Sequence, residues 1–290
     1  MPLRLIFNLV LLGVFMVGFG ATGLVSWRLL KNNAEDEVFR AGQLMMESAL
    51  AIRGYTVDQI KPVLDPMLAE RFLPQTVPAF SATETLQTLK TKYPDFSYKE
   101  ATLNPTNPRD RSDTFETPII QRFRADPKLA EIRGERALGG RRALYVARPI
   151  LIKSPACMQC HDRPETAPAT MLAIYGGQGG FGWKVGEIVG AQVVTVPTDV
   201  AEATAKKTFI TFMASLAAVF ALIFLALNLM LDRFIVQPIR RISGVAEAIS
   251  TGDSDVPEFA AEGGGEIAGL ERAFNRMRRS LTLAMRGLER

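Results

Sequence analysis

Two long stretches of the chain contain no charged residue, and they bracket a segment in which polar and apolar positions mix. The first uncharged stretch runs from Leu5 to Trp27 and the second from Thr208 to Leu231. A helix over either stretch is long enough to cross the hydrocarbon core of a bilayer, which is about 30 Å thick. The pattern therefore predicts two transmembrane helices, within residues 1–31 and 208–231, on either side of a folded segment over residues 32–207.

The first stretch has one alternative interpretation, which is a cleaved signal peptide. Arg4 precedes it and several small residues lie within it. Its apolar part is longer than the apolar region of an ordinary signal peptide, which has roughly 7 to 15 residues, and no clear small-x-small cleavage site precedes Arg28. We therefore expect a retained membrane anchor that follows a short N-terminal stub.

The segment 32–207 contains both helical and strand periodicity, and about 175 residues can bury one core. It is therefore predicted to be a single α+β domain. The first helix should continue from the membrane and end near Lys61-Pro62. Its apolar stripe is Val38, Ala41, Leu44 or Met45, Ser48, Ile52 and Tyr55. Two further helices are predicted at Thr83–Tyr93, capped by Ser81 or Thr83, and at Phe115–Arg124. Strands are predicted at Ala143–Ile152 and Gly186–Pro197. A last helix should run from about Thr198 into the second span.

After the second span, apolar residues recur every three or four positions in two short runs. The repeated positions are Ile239, Ile242, Ala246 and Ile249, and then Ile267, Leu270, Phe274, Met277 and Leu281. This heptad spacing predicts two helices joined by a connector from about Ser250 to Gly265. With Pro238 at the start, Glu266 before the second helix and Ala273-Phe274-Asn275 inside it, the pattern is similar to a HAMP linker.

The HAMP resemblance implies a helical hairpin over residues 232–284 that forms a parallel four-helix coiled coil in a homodimer, with residues 285–290 as a tail. The alternative is a pair of amphipathic helices that lie on the inner membrane face. The basic residues that would then face lipid headgroups are Arg240, Arg241, Arg276, Arg278 and Arg279.

Charge excludes one class of partner. The chain has 34 Lys and Arg against 30 Asp and Glu, a net charge of +4, and the basic residues are dispersed. This excess is too small to favour binding of nucleic acid, so we predict no nucleic-acid partner.

Both cysteines and the only histidine of the chain fall within five residues, in Cys157-Met158-Gln159-Cys160-His161. The pattern C-x-x-C-H is the attachment motif of a c-type haem. In that chemistry, Cys157 and Cys160 form thioether bonds with the haem vinyl groups, and His161 is the proximal iron ligand. We therefore predict one covalently bound haem c.

The motif has two other interpretations. A redox disulfide between the cysteines would not require the histidine, and the strand and helix context of a thioredoxin-like site is not evident. Zinc would require four ligands, and the sequence contains no further cysteine or histidine to supply them.

Haem attachment also decides the orientation in the membrane. Arg233, Arg240 and Arg241 after the second span favour a cytoplasmic C-terminus, whereas Lys206 and Lys207 on the other side weaken that indication. In Gram-negative bacteria haem c is attached outside the cytoplasm. We therefore expect a two-pass inner-membrane protein with residues 32–207 in the periplasm and both termini in the cytoplasm.

The region around residues 35–200 also resembles a known family, the bacterial periplasmic c-type haem domains with a PAS-like fold and one C-x-x-C-H motif. The resemblance lies in Phe72–Ala79, Tyr98–Arg109, the strand that precedes Cys157, Tyr175–Lys184 and Gly190-Ala191-Gln192. It implies a PAS-like sheet, a sensory role and His161 as proximal ligand.

The sixth iron ligand is where this chain departs from the family pattern. Some members use a cysteine of the N-terminal helix, but here both cysteines belong to the motif. We expect a methionine of that helix, Met45 or Met46, although both residues also suit a hydrophobic core. Met67, Met158 and Met171 are further candidates, and the alternatives are a weak oxygen or nitrogen ligand or an open site. The candidate partners for the haem propionates are Arg109, Arg148 and Lys184.

The sequence thus predicts a dimeric haem c sensor that detects redox state or a small haem ligand. The signal would pass through the second span and HAMP helices to a separate cytoplasmic signalling protein, because only nine residues follow Leu281. The alternative is a membrane-anchored mono-haem electron carrier with a redox partner. An enzyme is not expected, because no second histidine or acid-base pair is evident near the motif.

Overall fold

The structure is a computed structural model that describes residues 3–251, 256–260 and 264–288. The chain divides into two compact units, one being Trp27–Phe209 and the other Met1–Ser26 with Ile210–Arg290. The helices are α1 (Leu3–Tyr55), α2 (Lys61–Leu64), α3 (Pro78–Leu89), α4 (Glu116–Ala125), α5 (Met158–His161), α6 (Ala169–Tyr175), α7 (Asp199–Leu231), α8 (Gln237–Ser250) and α9 (Glu266–Leu288). The strands are β1 (Ser97–Thr102), β2 (Ile132–Leu138), β3 (Arg141–Leu151) and β4 (Ile188–Pro197).

The centre of the first unit is an antiparallel sheet with the strand order β1-β4-β3-β2. Strand β4 lies between β1 and β3, and all ten of its residues are buried. Its register pairs Gln192 with Glu100 of β1 and with Arg148 of β3. The α+β class predicted for this segment is confirmed, whereas the PAS-like assignment stays a prediction.

Two hydrophobic clusters cover the two faces of the sheet, because successive side chains of a strand point to opposite faces. On one face, α1 and α3 pack against alternate residues of β3 and β4, and Met46, Ala49 and Ala82 are fully buried there. On the other face, α4 packs with Ile120 and Phe123, both also fully buried. The helix α4 begins with a reciprocal cap, in which Asp113 Oδ1 accepts from the Glu116 amide and Glu116 Oε2 accepts from the Asp113 amide.

The structure corrects several predicted elements. Strands β1 and β2 were missed, because β1 (SYKEAT) is polar and β2 (IRGERAL) is a charged edge strand. The helix α3 begins at Pro78 rather than Thr83, since proline suits the first helical position. The buried stripe of α1 contains Ala34, Val38, Met45, Met46 and Ala49. Of the two alternatives Leu44 and Met45, Met45 is the buried one, whereas Tyr55 is exposed, contrary to the prediction.

The second unit contains the apolar helices. The helical segments Arg4–Ala69 and Asp199–Ser250 are long and apolar enough to cross a membrane, by length and composition. Within this unit, Phe15 of α1 stacks on Phe220 of α7 with ring centroids 4.7 Å apart. Arg4 and Asp232 approach to 3.6 Å near one end of the pair.

Helices α8 and α9 follow in the same unit. Part of the predicted connector, residues 252–255 and 261–263, lies outside the described residues, as do residues 289–290 of the predicted tail. The described part of the connector is held by Asn275, whose side chain accepts from the Phe259 amide at 3.2 Å and donates to the Phe259 carbonyl at 2.9 Å. Leu270, Met277 and Leu281 of the predicted heptad stripe are exposed in the single chain.

Candidate functional site

A cavity of about 310 Å³ lies in the first unit. Its walls come from the last turn of α1, the start of α3, the end of β1 with the loop that follows, the end of β3, and helices α5 and α6. Most of the side chains in these walls are apolar, including Phe72, Phe80 and Ile152. Cys157, Cys160 and His161 are part of the same lining, so the motif faces this cavity.

The local sequence explains how the motif is presented. Ser154 caps a 3-10 turn by accepting from the Ala156 amide at 3.2 Å, and Pro155 occupies the first position of that turn. Helix α5 follows directly and carries Cys160 one turn after Cys157. Both thiols are half-buried and free, and no disulfide joins them. Burial raises the pKa of the Cys160 thiol, which keeps it protonated at neutral pH.

The imidazole of His161 has one nitrogen engaged and one available. Its Nδ1 lies 2.7 Å from the Gly180 carbonyl oxygen, and a carbonyl can only accept, so Nδ1 carries the proton. Burial lowers the pKa of His161, and the Gly180 hydrogen bond opposes that shift in part. In the neutral ring, Nε2 therefore keeps a free lone pair. This is the arrangement of a metal-ligating histidine, in which a backbone carbonyl fixes the tautomer and ring orientation.

A stacked indole holds the other side of this ring. Trp183 lies parallel to His161 with ring centroids 3.9 Å apart and an interplanar angle of 14°. The backbone amide of Trp183 also donates to the His161 carbonyl at 3.3 Å. The imidazole plane is thus fixed by the Trp183 ring and by the Gly180 carbonyl.

The Gly180 carbonyl can approach His161 only because residue 180 lacks a side chain. Its φ is +84°, in the left-handed region, and a Cβ there would lie 1.9 Å from Thr106 Oγ1. The side chain of Asn104 fixes the same turn, because its Oδ1 accepts from the Gly180 amide at 3.2 Å and its Nδ2 donates to the Phe181 carbonyl at 3.1 Å. The loop after β1 therefore positions the acceptor of the histidine.

A buried polar network lies in another wall of the cavity. Arg53, in the last turn of α1, donates to Glu100 of β1, whose side chain is only 4% exposed. Tyr98 Oη donates to the other carboxylate oxygen of Glu100 at 2.7 Å, and Gln192 Nε2 donates to Tyr98 Oη at 3.1 Å. Burial raises the pKa of Tyr98, so its hydroxyl stays protonated and acts as a donor. Arg53 and Glu100 both line the cavity.

Two charged side chains, Arg109 and Asp110, lie in a further part of the cavity lining. Arg109 forms an ion pair with Glu84, approaches Asp110 at 3.5 Å, and lies 5.0 Å from the centre of the Phe80 ring. Both Arg109 and Glu84 are partly exposed. Burial raises the pKa of Asp110 to about 6 against the opposing effect of Arg109. Arg109 can therefore exchange its partner for another carboxylate at little cost, because exposed ion pairs contribute little.

The domain matches a known protein family. The sequence matches the family model called Tll0287-like over residues 31–197, more than half of the chain. The chain belongs to the Tll0287-like family. The model of the HAMP domain matches residues 226–282, which confirms the HAMP assignment made from the heptads.

A solved structure is also similar to the Tll0287-like domain. It is a crystal structure of the cyanobacterial heme-protein Tll0287, with 16% sequence identity and a TM-score of 0.42, and the match covers 56% of this chain and 95% of that chain. A comparison with curated proteins found no match.

The Tll0287-like domain brings some of the predicted site residues together and separates others. Arg109 lines the cavity with Cys157, Cys160 and His161. Arg148 is outside the lining, where it pairs with Glu47 at 2.7 Å and with Glu131 at 3.0 Å. Lys184 is exposed and also lies outside the lining. Of the three basic residues, only Arg109 lines the cavity.

The methionines require a correction. Met45 and Met46 belong to the hydrophobic cluster between α1 and the sheet, and neither lines the cavity. The physical reason is the rotation of α1 about its own axis, which directs both side chains towards β3 and β4. Met67 and Met158 are also outside the lining, whereas Met171 of α6 is buried and lines it. Among the described methionines, Met171 is thus the one at the cavity.

Sequence reasoning missed the residues that surround the motif in space. Arg53, Glu100 and Asn104 precede the motif by many residues. Only the fold brings Arg53 and Glu100 to its cavity and Asn104 to the turn that holds the acceptor of His161. A signal for Glu100 was present, since a carboxylate in the middle of a strand needs a partner if that strand is buried. The glycines at 176–182 indicated a turn, but the pattern did not indicate that its carbonyl would meet His161.

Proposed function

We propose that this chain is a membrane-bound haem c sensor whose Tll0287-like domain holds one haem through Cys157, Cys160 and His161. The observation that carries the proposal is the convergence of two free thiols and a histidine with an available Nε2 on one apolar cavity. These residues fit a c-type haem, because the thiols can form thioethers with vinyl groups and the imidazole can ligate iron. A bound haem supplies reversible one-electron chemistry and a site for small diatomic ligands.

The remaining lining residues suggest how the protein completes the site. Arg109 is the proposed partner for a haem propionate, since its present partner Glu84 is partly exposed and easily exchanged. Met171 is the proposed sixth ligand, because a thioether is a known haem ligand and this methionine is buried in the lining. The apolar walls exclude water from the site and so strengthen the effect of nearby charges.

The proposed stimulus is a change in redox state or in a small ligand of the haem, detected in the periplasm. The domain is connected to both apolar helices without an interruption, since α1 includes Arg53 and α7 begins two residues after β4. A change at the site would shift the populations of two arrangements of α7 and the HAMP helices. The output would be a cytoplasmic signalling protein bound by a homodimer, and the chain would act as a sensor and not as an enzyme.

The proposed topology places residues 32–207 in the periplasm and both termini in the cytoplasm of a bacterial inner membrane. Two observations support it, namely the two apolar helices that flank the domain and the HAMP match that follows the second helix. The exposed apolar stripe of Leu270, Met277 and Leu281 supports dimerisation through HAMP, because a coiled coil would bury such a stripe.

Covalent attachment is the property that tests this proposal. The full chain is expressed with a periplasmic haem-maturation system, and haem staining of a denaturing gel and the pyridine haemochrome spectrum are recorded. We expect a stained band and a c-type spectrum, a weaker or absent stain for Cys157→Ala and Cys160→Ala, and an unchanged stain for the matched control Ser48→Ala on α1. A folded wild-type protein with a Cys157 to Cys160 disulfide and no haem would contradict the proposal.

A further inference from the structure

The ion pair between Arg53 and Glu100 is the one charged contact that helix α1 makes at the cavity. Among the described residues of α1, only Arg53 lines the cavity. Its partner Glu100 is on β1 and is almost completely buried, with a side chain 4% exposed. A buried carboxylate requires a counter-charge and hydrogen bonds, and Glu100 has them in Arg53 and Tyr98.

This pair differs from the other charged pairs of the lining because its basic residue cannot leave for a new partner. Arg109 and Lys61 also line the cavity, but their nearer partners, Glu84 and Asp65, are at least one-third exposed. The second acidic neighbour of Arg109, Asp110, lies 3.5 Å away and is 19% exposed. Either basic residue can turn to a haem propionate while water solvates the carboxylate that it leaves. Arg53 cannot do so, because Glu100 would remain buried without a counter-charge. The Arg53–Glu100 pair therefore stays intact when the cavity is filled.

A fixed pair of charges beside an apolar cavity affects any group there that gains or loses charge. A positive charge favours the addition of an electron, a negative charge opposes it, and both effects are larger where water is excluded. The two members of the pair act with opposite sign. Tyr98 Oη donates to the Glu100 carboxylate and is itself held by Gln192 Nε2, so the carboxylate has little freedom to move away.

We propose that the Arg53–Glu100 pair sets the reduction potential of the bound haem and couples its redox state to the last turn of α1. The inference rests on the proposed haem site at Cys157, Cys160 and His161. Arg53 is a positioning residue in this scheme and does not touch the reacting atoms. By thermodynamic reciprocity, a pair that changes the redox equilibrium is itself strengthened or weakened by it. The pair thereby connects the haem site to the helix that contains the first apolar stretch.

The sign of the potential shift tests the proposal. Redox titrations compare wild type, Arg53→Gln, Glu100→Gln and the double variant, all as full chains in detergent with haem attached. Arg53→Gln should lower the potential and Glu100→Gln should raise it, each by about tenfold in the ferric to ferrous ratio at fixed potential, which is about 59 mV. The double variant should return to within about threefold of wild type.

Two controls separate charge from simple damage to the fold. Arg148→Gln removes another ion pair between the sheet and α1, Arg148 with Glu47, which is more exposed and lies outside the cavity. This variant should leave the potential unchanged. Arg53→Lys keeps the charge and should remain within about threefold of wild type. If Arg53→Gln does not fold, Glu100→Gln and Arg53→Lys still test the sign and the charge.

Amide exchange provides the second readout. In wild type, the last turn of α1 should exchange at different rates in the ferric and ferrous forms, and this difference should disappear in Arg53→Gln. Shifts of the same sign in Arg53→Gln and Glu100→Gln, or no shift in either, would overturn the inference although haem is attached. A wild-type chain without covalent haem would instead defeat the proposed function, so the two failures are distinguishable.

Discussion

The replacement of Gly180 by alanine should be one of the most damaging small changes in the domain, and its cost can be worked out from the backbone. At φ +84° the left-handed conformation of an alanine costs about 1–2 kcal/mol. About 0.4–1 kcal/mol of this cost is offset, because alanine lowers the conformational entropy of the unfolded chain. Its Cβ would lie 1.9 Å from Thr106 Oγ1, so Thr106 or the turn must move, at about 1–3 kcal/mol. Loss of the bond from His161 adds about 1 kcal/mol.

The expected total is a loss of about 2–6 kcal/mol in the free energy of unfolding. Gly182 provides a matched control, because its φ is +76° and a Cβ there would meet no atom within 4 Å. Gly182→Ala should therefore cost only about 1 kcal/mol, which is the backbone contribution after the unfolded-state correction. The gap between the two variants measures the close approach at Gly180.

The assay is urea denaturation of the full chain in detergent, followed by the fluorescence of Trp183 in a Trp27→Phe background. The chain has one histidine, so histidine labelled with nitrogen-15 reports on His161 alone. We expect Gly180→Ala to alter the Nδ1 signal and Gly182→Ala to preserve it. Equal losses of stability in the two variants, within about 0.5 kcal/mol, would refute the reasoning.

Three further predictions concern acidity, ligation and dimerisation. Burial raises the pKa of Asp110 to about 6, so the folded protein retains a proton that the unfolded chain releases near pH 4, and stability should fall as pH rises from about 4 to 6. Asp110→Asn should flatten that profile in thermal denaturation and stabilise the protein at pH 7 by up to about 3 kcal/mol. An unchanged profile would show that Asp110 is not the source of the pH dependence. Met171→Ala should remove the near-infrared methionine band of the ferric haem while Met45→Ala and Met46→Ala preserve it, and a band that survives in Met171→Ala would eliminate this ligand. Cysteines at Leu270 and Met277 should crosslink between chains in membranes and one at Arg276 should not, since a coiled coil buries only the apolar stripe; equal crosslinking at all three would favour helices lying on the membrane.

The sequence predicted features that depend on local patterns and missed features that depend on residues distant in the chain. The C-x-x-C-H motif, the uncharged stretches and the heptads are local patterns, so the cysteines, the apolar helices and the HAMP domain could be identified from them. Strands β3 and β4 were also predicted, because their apolar residues leave a clear strand pattern. Strand β1 has no such pattern, because it contains the charged residue Glu100. Glu100 can be buried only because it pairs with Arg53, which lies far away in the chain.

The errors in the site have the same origin. Met45 and Met46 were expected at the iron because they lie on the helix that borders the site, but the rotation of α1 about its axis turns both into the core and Arg53 to the cavity. A sequence indicates which residues share a helical face, and only packing decides which face meets which neighbour. The acceptor of His161 was beyond prediction, because a backbone carbonyl leaves no trace in the identity of a side chain.

The strand order has a consequence for biogenesis. Strand β4 is the last of the four strands in the chain, yet it lies between β1 and β3, so the sheet has a gap until residues 188–197 have been synthesised. The two thiols precede that strand. A chain that leaves the ribosome and crosses a membrane from its N-terminus therefore exposes both cysteines while Glu100 and Ile150 still lack the strand that will join them. If haem is attached as proposed, this order of completion would leave the motif open to a maturation enzyme before the wall around it closes.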